Sequence, residues 1–253
     1  SQGIFANLEI GWKSMLYLTL TGRNDWESQL AFTDHSSFFY PSVGLSAVLT
    51  EMIKLPEFIS YAKIRGSYTS VASSFDRFLS NPGFEFLEQS HQWRTSSTRP
   101  AVNLKPERTK SWEIGLNTKF WNDLSFDFTF YKSNTYNQTF QISQSSASGF
   151  STAVVQSGNV QNYGIEMGIG YRHKFGDVEW NSNFTFTMNR NKIKELMEGA
   201  KDPETGELIA DEERRVATLG AAGYAPVIIL RKDGGMGDIY VEKHLATDGN
   251  GNI

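Results

Sequence analysis

Leu124-Ser-Phe-Asp-Phe-Thr-Phe130 is the stretch that decides the fold. Leu124, Phe126, Phe128 and Phe130 fall on one side of an extended chain, and Ser125, Asp127 and Thr129 on the other. Strict alternation is the period of a β-strand with two chemically different faces. An aspartate at its centre must reach water, while the four large apolar side chains must leave it. The same parity recurs in both directions. Ile4, Ala6, Leu8 and Ile10 oppose Asn7 and Glu9, and Leu16, Leu18 and Leu20 oppose Tyr17, Thr19 and Thr21. Val43, Leu45, Ala47 and Leu49 oppose Ser42, Gly44 and Ser46, while Ala62, Ile64 and Tyr68 oppose Lys63, Arg65 and Ser67. Trp112, Ile114, Leu116 and Phe120 oppose Glu113, Asn117 and Lys119. Ile165, Met167, Ile169 and Tyr171 oppose Glu166, Gly168, Gly170 and Arg172. From Trp180 to Met188 the pattern returns, with Ser182 as the exception on the apolar side. About eight strands result, each near the ~9–11 residues that cross a bilayer when tilted.

Alternation alone also fits a soluble sandwich, whose polar faces meet water. The connections discriminate better. Gly11–Ser14, Trp121–Asp123 and Gly176-Asp177 are tight links, and Glu51–Ser60 could hold one helical turn. Between them lie the polar stretch Ser28–Ser37, Ala72–Lys105 with Asn81-Pro82-Gly83, the Ser/Gly-rich Gln144–Gly158, and Lys194–Pro226. Short turns at one end and long loops at the other are the mark of outer-membrane barrels. Long structureless loops are uncommon in compact soluble domains. Trp12, Trp26, Phe39, Tyr40, Trp121, Tyr131, Tyr136, Phe175 and Trp180 collect near strand ends, where aromatic girdles belong.

Composition narrows the functions. The 253 residues carry 24 Lys+Arg against 28 Asp+Glu, a net charge of −4, which argues against a nucleic-acid binder. With 0 Cys there is neither a disulfide framework nor a cysteine zinc site. No signal peptide and no long apolar helix are visible. His35, His91, His173 and His244 are scattered without zinc spacing, so no metal and no cofactor are expected. Asp248-Gly-Asn-Gly-Asn252 opens like a calcium loop, but Ile253 stands where glycine is required, so a hairpin turn is expected. Gly234-Gly-Met-Gly237 lacks the Lys-Ser/Thr pair of a phosphate loop. Asn137-Gln-Thr139 and Asn183-Phe-Thr185 match a glycosylation pattern by coincidence. Glu195–Arg215 is charge-rich, could include a short helix in an outer loop, and is expected to be a solvated face rather than a binding element. No carboxylate pair has the context of acid–base catalysis, so no enzyme is expected.

Several stretches resemble the SusC/RagA type of TonB-dependent outer-membrane transporter found in Bacteroidetes. They are Phe38-Phe-Tyr-Pro-Ser-Val-Gly-Leu-Ser46, Leu55-Pro-Glu-Phe58, Lys63-Ile-Arg-Gly-Ser-Tyr68 and Leu104-Lys-Pro-Glu-Arg-Thr-Lys-Ser-Trp-Glu-Ile-Gly-Leu116, the last being the most specific. Phe128–Asn134, Ser157-Gly-Asn-Val-Gln-Asn-Tyr-Gly-Ile-Glu166 and Asn189–Leu196 follow in the family's order, and Gly234–Tyr240 fits more loosely. The resemblance implies an all-β, antiparallel transmembrane barrel of about 22 strands, closed by an N-terminal plug. Residues 1–253 would supply about eight to ten strands of that single barrel domain, from its C-terminal half. No plug sequence, TonB box or terminal aromatic strand is seen. The implied function is uptake of a large nutrient, an oligosaccharide or peptide, across the cell outer membrane. The implied partners are a SusD-like surface lipoprotein and, through the missing N-terminal part, the TonB complex. The alternatives are a soluble or surface-exposed β-rich adhesin that binds without transport, and a small self-contained porin whose chain ends pair.

Residue roles follow from parity and from the resemblance together. Phe126, Phe128 and Phe130 are expected to face lipid, and Arg65, Glu113, Lys119, Glu166 and Arg172 to face the lumen. Trp93, Tyr136, Phe150 and Tyr163 are loop candidates for stacking on substrate. Pro106 suits a strand entry, Glu107 and Arg108 sit at the rim, and Gly44, Gly66, Gly115, Gly168 and Gly170 let the sheet bend or another chain approach.

Overall fold

The amphipathic runs become strands, and their hydrogen bonds are met only by one another. The computed structural model describes residues 1–31, 33–34, 36–76, 78–80, 83–101, 104–210, 214–218 and 226–241. Its strands are β1 (Gln2–Trp12), β2 (Leu16–Trp26), β3 (Ser37–Val48), β4 (Ile59–Ser73), β5 (Glu85–Leu87), β6 (Gln92–Arg94) and β7 (Thr98–Arg99). They continue with β8 (Glu107–Phe120), β9 (Leu124–Ser143), β10 (Thr152–Phe175), β11 (Val178–Glu195), β12 (Arg214–Thr218), β13 (Val227–Leu230) and β14 (Ile239–Tyr240). Eight long strands form one antiparallel sheet in the order β1-β2-β3-β4-β8-β9-β10-β11, and β7 adds a short parallel pairing to β10. Each long strand pairs with the next in sequence, the up-and-down connectivity of a barrel wall. Among the described residues β1 and β11 do not pair with each other, so the sheet is an open arc and not a self-contained small porin.

Register explains why the parity repeats. One row across all eight strands reads Ile10, Leu18, Leu45, Gly66, Ile114, Phe130, Ile165, Met188. The next reads Trp12, Leu16, Ala47, Ile64, Leu116, Phe128, Met167, Phe186. Neither row contains a polar side chain. Among the described residues nothing packs over them: Leu45 is 55% exposed, Ile114 58% and Phe186 42%. In water such a face would be an aggregation site. In hydrocarbon it is the required outer surface of a barrel. Among the described residues no second sheet stacks on these rings, so the sandwich alternative fails on geometry.

Aromatics bound the apolar band. Phe58, Phe120 and Trp121 cluster at the short-turn end, with Phe58 5.8 Å from Trp121 and 6.2 Å from Phe120. Tyr68, Trp112 and Tyr163 stand in one row at the other end. Trp112 and Phe120 are eight residues apart on β8, roughly 26 Å along a strand and about 20 Å across a membrane once tilted. Tyr40 is an exception to the expected girdle, because register turns it to the polar face beside Asp25.

The links keep the expected asymmetry, with changes. Residues 13–15, 121–123 and 176–177 are tight turns, and the β3–β4 link holds one helical turn, α1 (Leu49–Met52). At the other end Gln144–Gly158 is not a long loop. β9 and β10 stay paired out to Ser143 and Thr152, and only residues 144–151 form the link. Their side chains explain it: Val154 and Val155 have packing partners on both sides of the hairpin. The charge-rich stretch after Glu195 is turns with one bridge, Lys201 to Leu208, and no helix over the described residues 196–210. Beyond it β12, β13 and β14 form a small three-stranded sheet. His35, Asn81-Pro82, His244 and Asp248–Ile253 lie outside the described residues.

Two apolar clusters sit at the loop end, one on each side of β10. Ile142, Ala153, Val155, Val160, Ile193, Leu196, Met197, Ala200 and Leu230 make one. Leu30, Phe38, Phe75, Ala101, Leu104 and Val154 make the other. Here the loops bury the core that the wall itself does not have.

Candidate functional site

The polar face of the arc is a continuous surface. Register places Arg65, Glu113, Lys119, Glu166 and Arg172 on it, opposite the apolar rows. Its centre is built on Arg65. The guanidinium donates to Asn117 Oδ1, to Thr129 Oγ1 at 2.6 Å and to Asp127 Oδ2 at 3.4 Å. Asn117 also donates to Asp127. Four side chains from β4, β8 and β9 thus tie three strands together on their wet face. Room for this comes from Gly115, where a Cβ would lie 2.6 Å from Arg65 Nε. Below it, toward the short turns, a hollow of about 470 Å³ is lined by Tyr61, Lys63, Lys119, Asp127, Asn183 and Thr185, among others. Gly168 and Gly170 form its floor. Glu113 and Glu166 stand on the same face without an ion-pair partner among the described residues. Arg172 pairs with Glu179 at 2.6 Å near the turn end, in an exposed position.

At the rim the polar face carries a second cluster. Arg23 Nε donates to Asp25 Oδ1 at 2.9 Å, Tyr40 donates its hydroxyl proton to Asp25, and Ser74 donates to Glu27. Asp25 is 8% exposed and is held there by these two donors. Parity along β2, extended three residues past Gly22, points Asp25 inward with Tyr17, Thr19 and Thr21. Parity is the sequence signal for it, faint because the apolar run ends at Leu20. Lys105 and Gln156 exchange two hydrogen bonds of 2.6 Å, fixing the approach to β8 against β10. Nothing local in sequence announces that pair.

The structure separates the four aromatic candidates. Trp93 lies on β6 of a small exposed hairpin, 69% exposed and 5.1 Å from the Phe86 ring. Phe150 lies in the link at the tip of β9–β10. Tyr136 and Tyr163 are not loop residues. They are paired positions of β9 and β10, because the hairpin stays hydrogen-bonded beyond the wall. Both share parity with Phe130 and Ile165, which puts them on the outer face. Lys110 sits 5.6 Å over the Tyr136 ring. A cleft of about 420 Å³ between the loops is lined by Arg99, Pro100, Leu104, Val155, Gln156 and Lys201, among others, and by none of the four. No group of His, Cys, Asp and Glu among the described residues has the arrangement of a metal site.

An arc of amphipathic strands with a lipid-compatible outside, a polar inside and loops massed at one end is a section of an outer-membrane β-barrel wall. The chain belongs to the family described as TonB dependent receptor-like, beta-barrel, whose model matches residues 1–245. It is similar to the TonB-dependent receptor P3 of Formosa agariphila, 25% identical over 206 residues, covering 78% of this chain and 20% of the relative. Among solved structures it is similar to a chain of the RagAB peptide importer in the open-open state, with a TM-score of 0.69 and 19% identity, covering 97% of this chain and 28% of that one. The closed-closed state gives a TM-score of 0.67 and 19% identity, covering 97% and 29%. The chain therefore spans about a fifth of the curated relative and under a third of these solved chains.

Proposed function

We propose that this chain is wall and loop of a SusC/RagA-type transporter that takes up a large nutrient, an oligosaccharide or a peptide, with a SusD-like surface lipoprotein and energy from the TonB complex. The observation that carries the reading is the pair of unbroken apolar rows on one face with the Arg65 network on the other. A binding protein in water has no use for such an outer face, whereas a conduit through lipid requires it. In this reading Arg65, Glu113, Lys119, Glu166 and Arg172 line the lumen and meet the plug. Trp93 and Phe150 stand among the loops that meet substrate or lipoprotein. Tyr163 serves the membrane girdle, and Tyr136 stands on the outer face of the hairpin above it. The similarity to a chain of the RagAB peptide importer favours a peptide over a glycan.

Deleting the whole gene is expected to abolish growth on one class of oligomer, and restoring it to rescue growth only with a functional TonB complex. Affinity capture of the full-length protein is expected to retain a surface lipoprotein. Growth unaffected on every peptide and glycan pool, with the protein recovered in detergent-free gel filtration as a monomer, would instead establish the adhesin.

A further inference from the structure

Charge on the outer face is segregated in a way that transport does not explain. On β1, β2, β3 and β4 the outward positions carry no charged residue between Gln2 and Ala72. On β8, β9, β10 and β11 the one outward carboxylate is Glu195, past the register shift at the end of β11, whereas Arg108, Lys110, Lys132, Arg190 and Lys192 all stand there, all at the loop end. The other acids of these strands, Glu107, Glu113, Asp127, Glu166 and Glu179, face inward. Two of the cations are engaged elsewhere: Lys192 pairs with Asp233 at 2.8 Å, and Arg108 donates to Ser70 and to the Phe39 carbonyl. The other three, Lys110, Lys132 and Arg190, have no carboxylate within ion-pair distance among the described residues.

Their placement is specific. One row reads Trp112, Lys132, Tyr163, Arg190, directly above the row that ends the apolar band. Lys132 and Arg190 thus flank Tyr163 two strands apart, about 10 Å, and Lys110 lies one row higher on β8. A cation on the lipid side costs about 2–4 kcal/mol at the midplane but about 0–1 near the interface. The interface level tolerates the three, and there they can meet an anion, Lys110 while lying 5.6 Å over the Tyr136 ring. No carboxylate of the described residues reaches these three, which leaves lipid head groups as a source of the anion.

We propose that the outer face of β8–β11 is a binding surface for phosphate-bearing head groups of the outer leaflet, held by Lys110, Lys132 and Arg190 with Trp112 and Tyr163 against the acyl–sugar boundary. The arrangement joins fixed cations to girdle aromatics, the pairing that recognises an amphiphile with an anionic head. Bound lipid would seat this quarter of the wall more firmly than the uncharged face of β1–β4.

The test uses the full-length transporter in neutral detergent, with bis-phosphorylated lipid A, the same lipid dephosphorylated, and inorganic phosphate as probes. Binding is read by native mass spectrometry, and folding by heat-modifiable gel migration. K110Q/K132Q/R190Q is expected to bind phosphorylated lipid roughly 100-fold more weakly, at about fivefold for each cation at an anionic surface. K13Q/K54Q/K174Q, which removes three charges at the turn end, is expected to bind it as the parent does. If the triple variant fails to fold, K132Q alone is expected to lose about fivefold. Equal binding of phosphorylated lipid by a folded cation variant and its parent overturns the proposal. So does equal affinity of the parent for the dephosphorylated lipid, or saturation by inorganic phosphate alone at the same concentration.

Discussion

Arg65 of β4 lies flat across Gly115 of β8, the residue it faces in register, and reaches over it to Asn117 and Thr129. The pair shows how a barrel wall uses glycine: the missing side chain is the channel through which a long cation ties three strands. A methyl at residue 115 would fall 2.6–2.9 Å from three Arg65 atoms. Gly115→Ala is therefore expected to lower stability by about 1–3 kcal/mol, the usual cost of crowding a packed site. Gly168→Ala, whose methyl would meet Asp127 Cβ at an ordinary 3.8 Å, is expected to change little. Urea unfolding of the full-length barrel in lipid vesicles, followed by tryptophan fluorescence, separates the two. Equal midpoints for both variants would refute the account of Gly115.

The apolar rows make a sharper claim about depth. Phe128 stands between Leu116 and Met167 in the middle of the band, whereas Asp127 beside it in sequence faces the wet side. Phe128→Arg is expected to cost about 2–4 kcal/mol through hydrocarbon exposure of a charge, before any loss of packing. Asp127→Asn keeps the wet face polar and is expected to cost less, since the Asp127–Arg65 pair is half exposed and 3.4 Å long. Folding yield into vesicles, compared for the two neighbours, measures the difference. Similar yields would mean that residue 128 does not meet lipid.

Much of this was legible in the sequence, and the reason is physical. Water and hydrocarbon impose opposite chemistries on successive residues, so Leu124–Phe130 declares both its strand and its faces. The tight turns were legible for the same reason, since the alternation stops where the chain reverses. The end of β9 was not. Past Lys132 the strand leaves the membrane and is stabilised by loop contacts that no local period encodes, so Gln144–Gly158 reads as a Ser/Gly linker although Val154 and Val155 are core. Tyr136 and Tyr163 were misplaced in loops by that same error. The Arg65 network escaped because it depends on which strands become neighbours. Residues 65, 117 and 127 are close only once β4, β8 and β9 pair.

The segment after β13 docks on the edge of β11 through backbone hydrogen bonds and one ion pair. Asp233 N donates to the Ile193 carbonyl, Ile193 N to the Gly234 carbonyl, and Lys192 pairs with the Asp233 carboxylate at 2.8 Å. The hydrogen bond and charge of Lys192 hold the Asp233 carboxyl below its ordinary value of 3.8. A depressed carboxylate pKa adds stability above the unfolded value, and that stability is lost as pH falls through the folded value. Amide exchange at 231–236 is therefore expected to be unchanged between pH 7 and 5, relative to intrinsic rates, and to accelerate below about pH 4. Asp233→Asn is expected to show the faster exchange at pH 7 and no further acid step. An acid step that survives in Asp233→Asn would assign it to another group.

The two loop clusters should respond independently, because β10 presents alternate residues to each: Ala153 and Val155 to one, Val154 to the other. Ile193 and Leu104 are fully or almost fully buried in separate clusters, at 0% and 3% exposure. Truncating either to alanine is expected to cost about 2–5 kcal/mol locally. The wall strands below do not share these contacts, so the barrel itself is expected to stay assembled. Ile193→Ala is expected to raise cleavage within 196–209 while leaving cleavage next to Phe75 and Leu104 at the parent level, and Leu104→Ala to do the reverse. With no partners in common, the double variant is expected to show the sum of the two patterns within about 0.5 kcal/mol. Limited proteolysis of intact cells, read by peptide mapping, gives all three results. If either single variant exposes both segments, the hairpin is not a partition between two cores but part of one, and the loops move as a unit.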